Sequence, residues 1–308
     1  MATQQLWAIT CFYNPLGCES RLRNYQIFRE NLSLPLVTVE WSHEGRFQLR
    51  QNDADILLQI GTGDLLWQKE RLLNIALRSV PTDCHLIAWL DSDVVFEDSN
   101  WTGKTVDLLR KFMIVEPFSQ VYEVPRGGMP GDAGSRRARG YGLLYALSEG
   151  IAPPEVLRGD MRVNARTSCG LAWAARREIL DQFGFYDACV LGSGNRAIAC
   201  AMLGRFCDAI DYMQMGPRWA RHYMNWAQPY FEVVQGSVGF AEGGLFHLWH
   251  GELENRRYSQ RHKFLGSRNF DPGKEIWLDD RGTWRWNGMK SEAEQYVRGY
   301  FEARREDG

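Results

Sequence analysis

The stretch LIAWLDSDVVFED, Leu86 to Asp98, decides how this chain is read. Five apolar residues, Leu86 to Leu90, stop at Asp91-Ser92-Asp93, and the apolar run resumes with Val94, Val95 and Phe96. A short apolar run of this kind reads as a central strand buried on both faces. Strand side chains alternate, so Asp91 and Asp93 share a face if the strand continues, and diverge if the chain turns between them. Such a triplet can be a solvated loop end or a helix cap. Its place at the tip of an apolar strand also suits a second use, as oxygen ligands for a hard divalent cation.

The surroundings set the strand in an α/β layer. LWAITCFYN is a short β-branched and aromatic run that stops at Asn14-Pro15, and reads as a first strand feeding a loop. In CESRLRNYQIFRENLS the apolar positions Leu22, Tyr25, Ile27, Phe28 and Leu32 predict a helix, and LPLVTVEW is extended again. Leu66, Leu72, Leu73, Ile75, Ala76 and Leu77 predict an amphipathic helix ended by Pro81, just before the quoted strand. This alternation predicts a mixed, mainly parallel central sheet flanked by helices. Ligands of such sheets gather at the carboxyl ends of the strands, where Asp91 to Asp93 stand.

Farther on, Val124 to Gly142 is rich in glycine, arginine and proline without hydrophobic period, and reads as a long mobile loop, either a lid or a surface excursion. SCGLAWAARREILDQFGFYD predicts a short strand or turn and an amphipathic helix, and VLGSGNRAIACAMLG a glycine-rich turn opening another. A polar helix around SEAEQYVRGYFEARRED closes the chain, with YFEARRED as an exposed, mixed-charge end. No repeat, low-complexity tract or linker divides the 308 residues, so a single domain is expected.

With 36 basic against 38 acidic residues, no overall field argues for nucleic acid or an anionic membrane as partner. No run nears the roughly 20 apolar residues that span a bilayer, and MATQQLWAIT lacks the order of a secretory signal, so a cytoplasmic protein is expected. Seven cysteines, an odd number without CxxC spacing, suit reduced thiols.

A second cluster bears on the cation. In HLWHG, His247 and His250 are three apart, which brings two imidazoles together on a helical turn or around a tight bend. The pair can be hydrogen-bonded histidines of an aromatic core. Joined by a carboxylate, it makes a borderline nitrogen and oxygen site suited to manganese.

These segments resemble a known group. IAWLDSDVVFED is similar to the Asp-x-Asp strand end of GT-A fold nucleotide-sugar glycosyltransferases, the glycosyltransferase family 2 and β-1,4-galactosyltransferase group. WQKERLLNIAL resembles the FNRAKLLN segment before that strand in the β-1,4-galactosyltransferases. GLAWAARREILDQFGFYDACVLGSGN is similar to their acceptor-side segment, and HLWH falls where they keep later metal ligands.

The resemblance covers residues 6 to 265. It implies a GT-A fold, a UDP-sugar donor, a saccharide or other hydroxyl acceptor, and a Mn2+ or Mg2+ cofactor. Residues 1–122 would form the nucleotide-sugar half and 160–265 the acceptor and metal-ligand half, with 266–308 a C-terminal extension. Asp93, His247 and His250 would hold the metal, with Asp91 nearer the ribose or a metal-bound water. Thr10, Phe12, Asn14, Lys69 and Asn74 would line the donor pocket, and Trp173, Gly194, Asn195 and Arg196 would face the acceptor.

One departure concerns the base. The group's inverting members place a carboxylate where this chain has Asn195 and Arg196, and an amide accepts no proton at neutral pH. A substituted position, recruitment of another carboxylate such as Asp187, and a donor-binding protein with poor turnover are the three explanations. Two rival functions follow: a DNA glycosyltransferase gripping phosphates with Arg136, Arg137 and Arg139, and a metal- or sugar-binding module without turnover. Trp219, Trp226 and Trp249 are core packing or platforms for sugar faces.

Overall fold

In the computed structural model, which describes residues 6–132, 134–135, 138–159, 167–256, 260–288 and 290–308, the run Leu86–Leu90 is a strand buried along its whole length. Ile87 and Trp89 point into the larger apolar core, and Leu86, Ala88 and Leu90 into a second core on the opposite face. That is the two-sided burial expected of a central strand in a helix-covered sheet.

The first elements are β1 (Leu6–Tyr13), α1 (Glu19–Glu30), β2 (Leu36–Ser42), β3 (Ile56–Gly61), α2 (Lys69–Ser79) and β4 (Leu86–Leu90). Next come β5 (Val94–Phe96), α3 (Trp101–Leu109), β6 (Ile114–Glu116), β7 (Gln120–Glu123), β8 (Ala138–Gly142), α4 (Leu143–Ser148) and β9 (Thr167–Ser168). Then follow β10 (Ala172–Arg176), α5 (Arg177–Phe183), α6 (Gly194–Met202), α7 (Phe206–Tyr212), α8 (Pro217–Val234), β11 (Val238–Phe240) and β12 (Gly244–His247). The last are α9 (Lys263–Ser267), α10 (Pro272–Glu275), β13 (Ile276–Leu278), β14 (Trp284–Trp286) and α11 (Lys290–Ala303).

The central sheet has seven strands in the order β11-β6-β10-β4-β1-β2-β3. β4, β1, β2 and β3 run parallel, β11 parallels β6, and β10 is antiparallel to both its neighbours. The sequence expectation of a mixed, mainly parallel sheet is met. A second sheet, β5-β12-β7-β8-β9, stands beside the carboxyl end of β4.

The quoted stretch crosses from one sheet to the other. Asp91 to Asp93 is a turn, β4 belongs to the large sheet, and β5 joins the small one through β12. The two carboxylates therefore diverge, Asp91 staying with the large sheet and Asp93 leading into the small one.

Two expectations need correction. The segment from Val124 to Gly142 is not all loop: its end forms β8, which pairs antiparallel with β7 across a register shift at Val121/Tyr122. Arg136 and Arg137, with the side chain of Arg139, lie outside the described residues. The chain end is not exposed either, because Arg304 and Glu306 are 4% and 6% exposed, with Glu306 against Arg21 of α1 and His250 after β12. Of the two readings of Trp219, core packing is the one observed: it is fully buried, edge-on to Phe270. All seven cysteines are free thiols. Among the described residues, no helix is long and apolar enough to cross a membrane.

Candidate metal centre

Strand register assembles the centre. β12 lies between β5 and β7, so His247 stands opposite Val94 on one side and Glu123 on the other. Two backbone bonds fix this junction: the Leu248 N–H donates to the Asp93 carbonyl (2.8 Å) and the Val124 N–H to the His247 carbonyl (2.9 Å). After β12 the chain bends through Trp249 and His250 to Gly251, whose φ of +90° is left-handed. A Cβ there would come within 2.5 Å of the Arg304 carbonyl oxygen, so glycine admits both the bend and the returning chain end.

The bend turns the His250 ring back onto His247. Asp93, His247 and His250 are all buried, and one ligand atom of each lies within 4.8 Å of the others. His247 Nε2 is 3.1 Å from His250 Nε2 and 3.9 Å from Asp93 Oδ1, and His250 Nε2 is 3.2 Å from Asp93 Oδ2.

Outer partners orient the rings. His247 Nδ1 bonds Glu123 Oε2 at 3.0 Å, a carboxylate–histidine pair that leaves Nε2 facing the cluster. Burial pushes the His247 ring down, but Glu123 overrides it and the net shift is upward. His250 Nδ1 lies 3.6 Å from Glu306 Oε1, and burial with nearby Arg256 holds the ring well below its ordinary range. Arg256 Nη2 donates to His250 Nε2 at 2.9 Å. Glu306 in turn takes two bonds from Arg21 (2.5 and 2.6 Å), with Arg304 Nε at 2.7 Å. Burial would raise that carboxyl, but the two guanidinium groups keep it far below the carboxylate range. Asp307 caps α1 by accepting from the Glu19 and Ser20 amides at 3.1 and 2.8 Å.

The donor set fits a divalent cation. Asp93 Oδ1 is buried without a hydrogen-bond partner, a costly state for a carboxylate oxygen unless a cation meets it. Two imidazole nitrogens converge on the same point, and a mixed nitrogen and oxygen set of this kind suits manganese.

The other carboxylate of the turn has different partners. Asp91 pairs with Lys69 at the start of α2 and accepts from the Leu171 N–H at 3.3 Å, while its own N–H donates to the Leu171 carbonyl at 2.7 Å. Burial works against the charge on Lys69, yet Asp91 raises its pKa overall. One residue before Leu171, Gly170 is so close to Asn195 that a Cβ would lie 2.7 Å from the amide nitrogen. Asn195 Oδ1 is buried without a partner.

The remaining expected site residues are held by internal bonds. Thr10 donates to the Leu90 carbonyl (2.7 Å), and Phe12 lies edge-on to Tyr25 in the second core. Asn14 bonds Cys18 and Gln48. Asn74 and Arg71 both donate to Asp187 Oδ2, at 2.9 and 3.0 Å, which ties α2 to the segment before α6. Trp173 stacks on Trp89 inside the sheet. Arg196 donates to the Val156 and Leu157 carbonyls at 2.9 and 2.6 Å and covers the Tyr212 ring at 4.1 Å. Of the aromatic candidates, Trp226 stacks on Tyr230 and bonds the Phe183 carbonyl, and Trp249 lies under Arg126.

Sequence reasoning missed Glu123, Arg256, Arg21, Arg304 and Glu306. None carries a local motif: Glu123 is placed by parallel register with β12, Arg256 by the chain just after the His250 bend, and Arg21, Arg304 and Glu306 by a return of the chain across nearly 300 residues.

No protein-family model matches the chain. No curated protein matches it either. Among solved structures, the chain is similar to S. aureus TarS 1-349, with 12% identity, TM-score 0.37, and coverage of 66% of this chain and 55% of that one. It is also similar to the mannosyltransferase PcManGT from Pyrobaculum calidifontis, solved with GDP-Man and Mn2+, at 14% identity and TM-score 0.37 over 76% and 68% of the two chains. A third is 4-diphosphocytidyl-2C-methyl-D-erythritolsynthase from Anaerococcus prevotii DSM 20548, at 11% identity and TM-score 0.34 over 86% and 96%. The chain spans about half the length of the TarS 1-349 structures it matches.

Proposed function

We propose that this protein is a GT-A-type glycosyltransferase that moves a sugar from a UDP-activated donor to a hydroxyl acceptor, with inversion, using Mn2+ or Mg2+. The observation that carries the reading is the buried Asp93, His247 and His250 cluster at the carboxyl end of the central parallel strand, where ligands of such sheets bind. A divalent cation held there would neutralise the charge that grows on a departing diphosphate. Asp93 offers it an oxygen, and His247 Nε2 a nitrogen lone pair fixed in direction by Glu123; His250 Nε2, which here accepts from Arg256, would join by giving up that bond.

Other residues would serve the donor. The Lys69 ammonium, buried beside Asp91, supplies positive charge next to the turn, and the open side of Asp91 supplies acceptors for ribose hydroxyls. On this reading residues 1–122 hold the nucleotide sugar, 160–265 add the acceptor side and the histidines, and 266–308 braces them through Arg304 and Glu306. A saccharide acceptor is favoured over nucleic acid, since the chain is nearly neutral.

A thermal-shift screen of UDP, GDP and TDP sugars, with and without Mn2+, tests the reading, because a ligand of the native state raises Tm with occupancy. Stabilisation by UDP compounds that needs Mn2+ is expected. Equal Tm for every nucleotide at every metal concentration would overturn it.

A further inference from the structure

We propose that Glu70, at the start of α2, is the group that takes the proton from the acceptor hydroxyl, in place of the carboxylate missing at Asn195; this rests on the transferase reading above. The geometry leads there in three steps. Gly194 opens α6, and its missing Cβ is the space in which the Glu70 carboxyl lies: any side chain at 194 would overlap it. The next residue is Asn195, so a carboxyl from a different helix sits against the position where the motif lacks one. Lys69, the neighbour of Glu70 on α2, pairs with Asp91, which puts Glu70 beside the turn that carries both aspartates.

Its surroundings fit a proton acceptor better than those of Asp187. That carboxylate already takes bonds from Arg71 and Asn74 and braces two segments. Glu70 is 3% exposed, and its carboxyl takes no hydrogen bond from any other described residue, leaning only on its own backbone N–H. Burial, opposed by Lys69 and its own N–H and aided by Asp91 and Asp187, raises its pKa to about 7. A base poised near the working pH is the most effective one. The titratable groups that face it are Lys69 on α2, Asp91 after β4, Asp187 and Cys189 before α6, and Cys11 on β1.

In the step itself the acceptor O–H proton passes to a Glu70 oxygen while the acceptor oxygen bonds the anomeric carbon. The bond from that carbon to the diphosphate oxygen breaks, and its electron pair leaves with the nucleoside diphosphate. Glu70 then returns the proton to solvent.

The test uses the full chain with Mn2+, a panel of UDP-glucose, UDP-galactose and UDP-N-acetylglucosamine, a mixed monosaccharide and disaccharide acceptor pool, and UDP release as readout. Glu70→Gln should lower kcat by ~10²-fold or more, with KM for the donor and the UDP–Mn2+ thermal shift unchanged, and abolish the limb of the pH profile near neutrality. Glu70→Ala should regain turnover with added formate, which a merely structural role would not show. If Glu70→Gln turns over within a few-fold of wild type, or formate does nothing for Glu70→Ala, the assignment of Glu70 is overturned while the transferase reading stands. A wild type that releases no UDP from any donor overturns both.

Discussion

Two corners of the molecule share one construction. Glu116, at the end of β6, lies against Gly142 before α4, and Glu70 lies against Gly194 at the start of α6; a Cβ on either glycine would collide with the carboxyl. Both acids are buried, and burial raises both, Glu116 to about 8 and Glu70 to about 7. They differ in partners. Glu116 accepts from the Leu143 and Leu144 amides at 2.8 and 2.7 Å, which satisfies the open N–H groups of α4 as a cap does. Glu70 takes nothing from the amides of α6. Burial alone thus does not separate a brace from a reactive group, whereas the count of satisfied lone pairs does.

The comparison breaks first in rate. Glu70→Gln is expected to cut turnover by ~10²-fold or more, whereas Glu116→Gln should leave kcat per folded molecule within about two-fold of wild type; parallel UDP-release assays check both. Equal losses in the two variants would mean that the two corners do not differ in kind.

Stability should divide them the other way. A glutamine at 116 turns an NH2 towards one of two amide donors, so Glu116→Gln should cost ~1–3 kcal/mol in urea unfolding, and Glu70→Gln less than half of that. Gly251→Ala, at a third tight corner, should cost ~1–3 kcal/mol through its left-handed φ and the Arg304 carbonyl.

A slope with pH should also separate the two corners. Glu116 keeps its proton in the folded chain up to about 8, while the unfolded chain releases it near the ordinary value of 4.5. Between those values the folded state binds more protons, so this group's share of stability is full below about 4.5 and is lost as pH rises through about 8. Glu116→Gln removes that slope, and urea midpoints measured across the window show whether it does.

Much of this was legible in the sequence, and the limit has a physical cause. Periodicity gave β1, α1, β2, α2 and β4 near their observed positions, because each buries a face set by local spacing. Asp93, His247 and His250 were legible as residue types that suit one cation. What periodicity could not give is register and return: the turn at Asp91 to Asp93 that changes sheets, the Glu123 beside His247, and the chain end that brings Arg304 and Glu306 under His250. YFEARRED read as a solvated end because its charges have no local partners. Their partners, Arg21 and His250, come from α1 and the bend after β12. Glu70 escaped notice for a like reason, since only packing against Gly194 marks it out.

The account turns on one cation shared by the two sheets and the late histidines. Calorimetric titration of Mn2+ into the protein with UDP present tests it directly. One ion per chain is expected, with affinity reduced by ~10²-fold or more in His247→Ala and in Asp93→Asn, and by ~10-fold in Glu123→Gln. Unchanged Mn2+ affinity in His247→Ala and Asp93→Asn would contradict it.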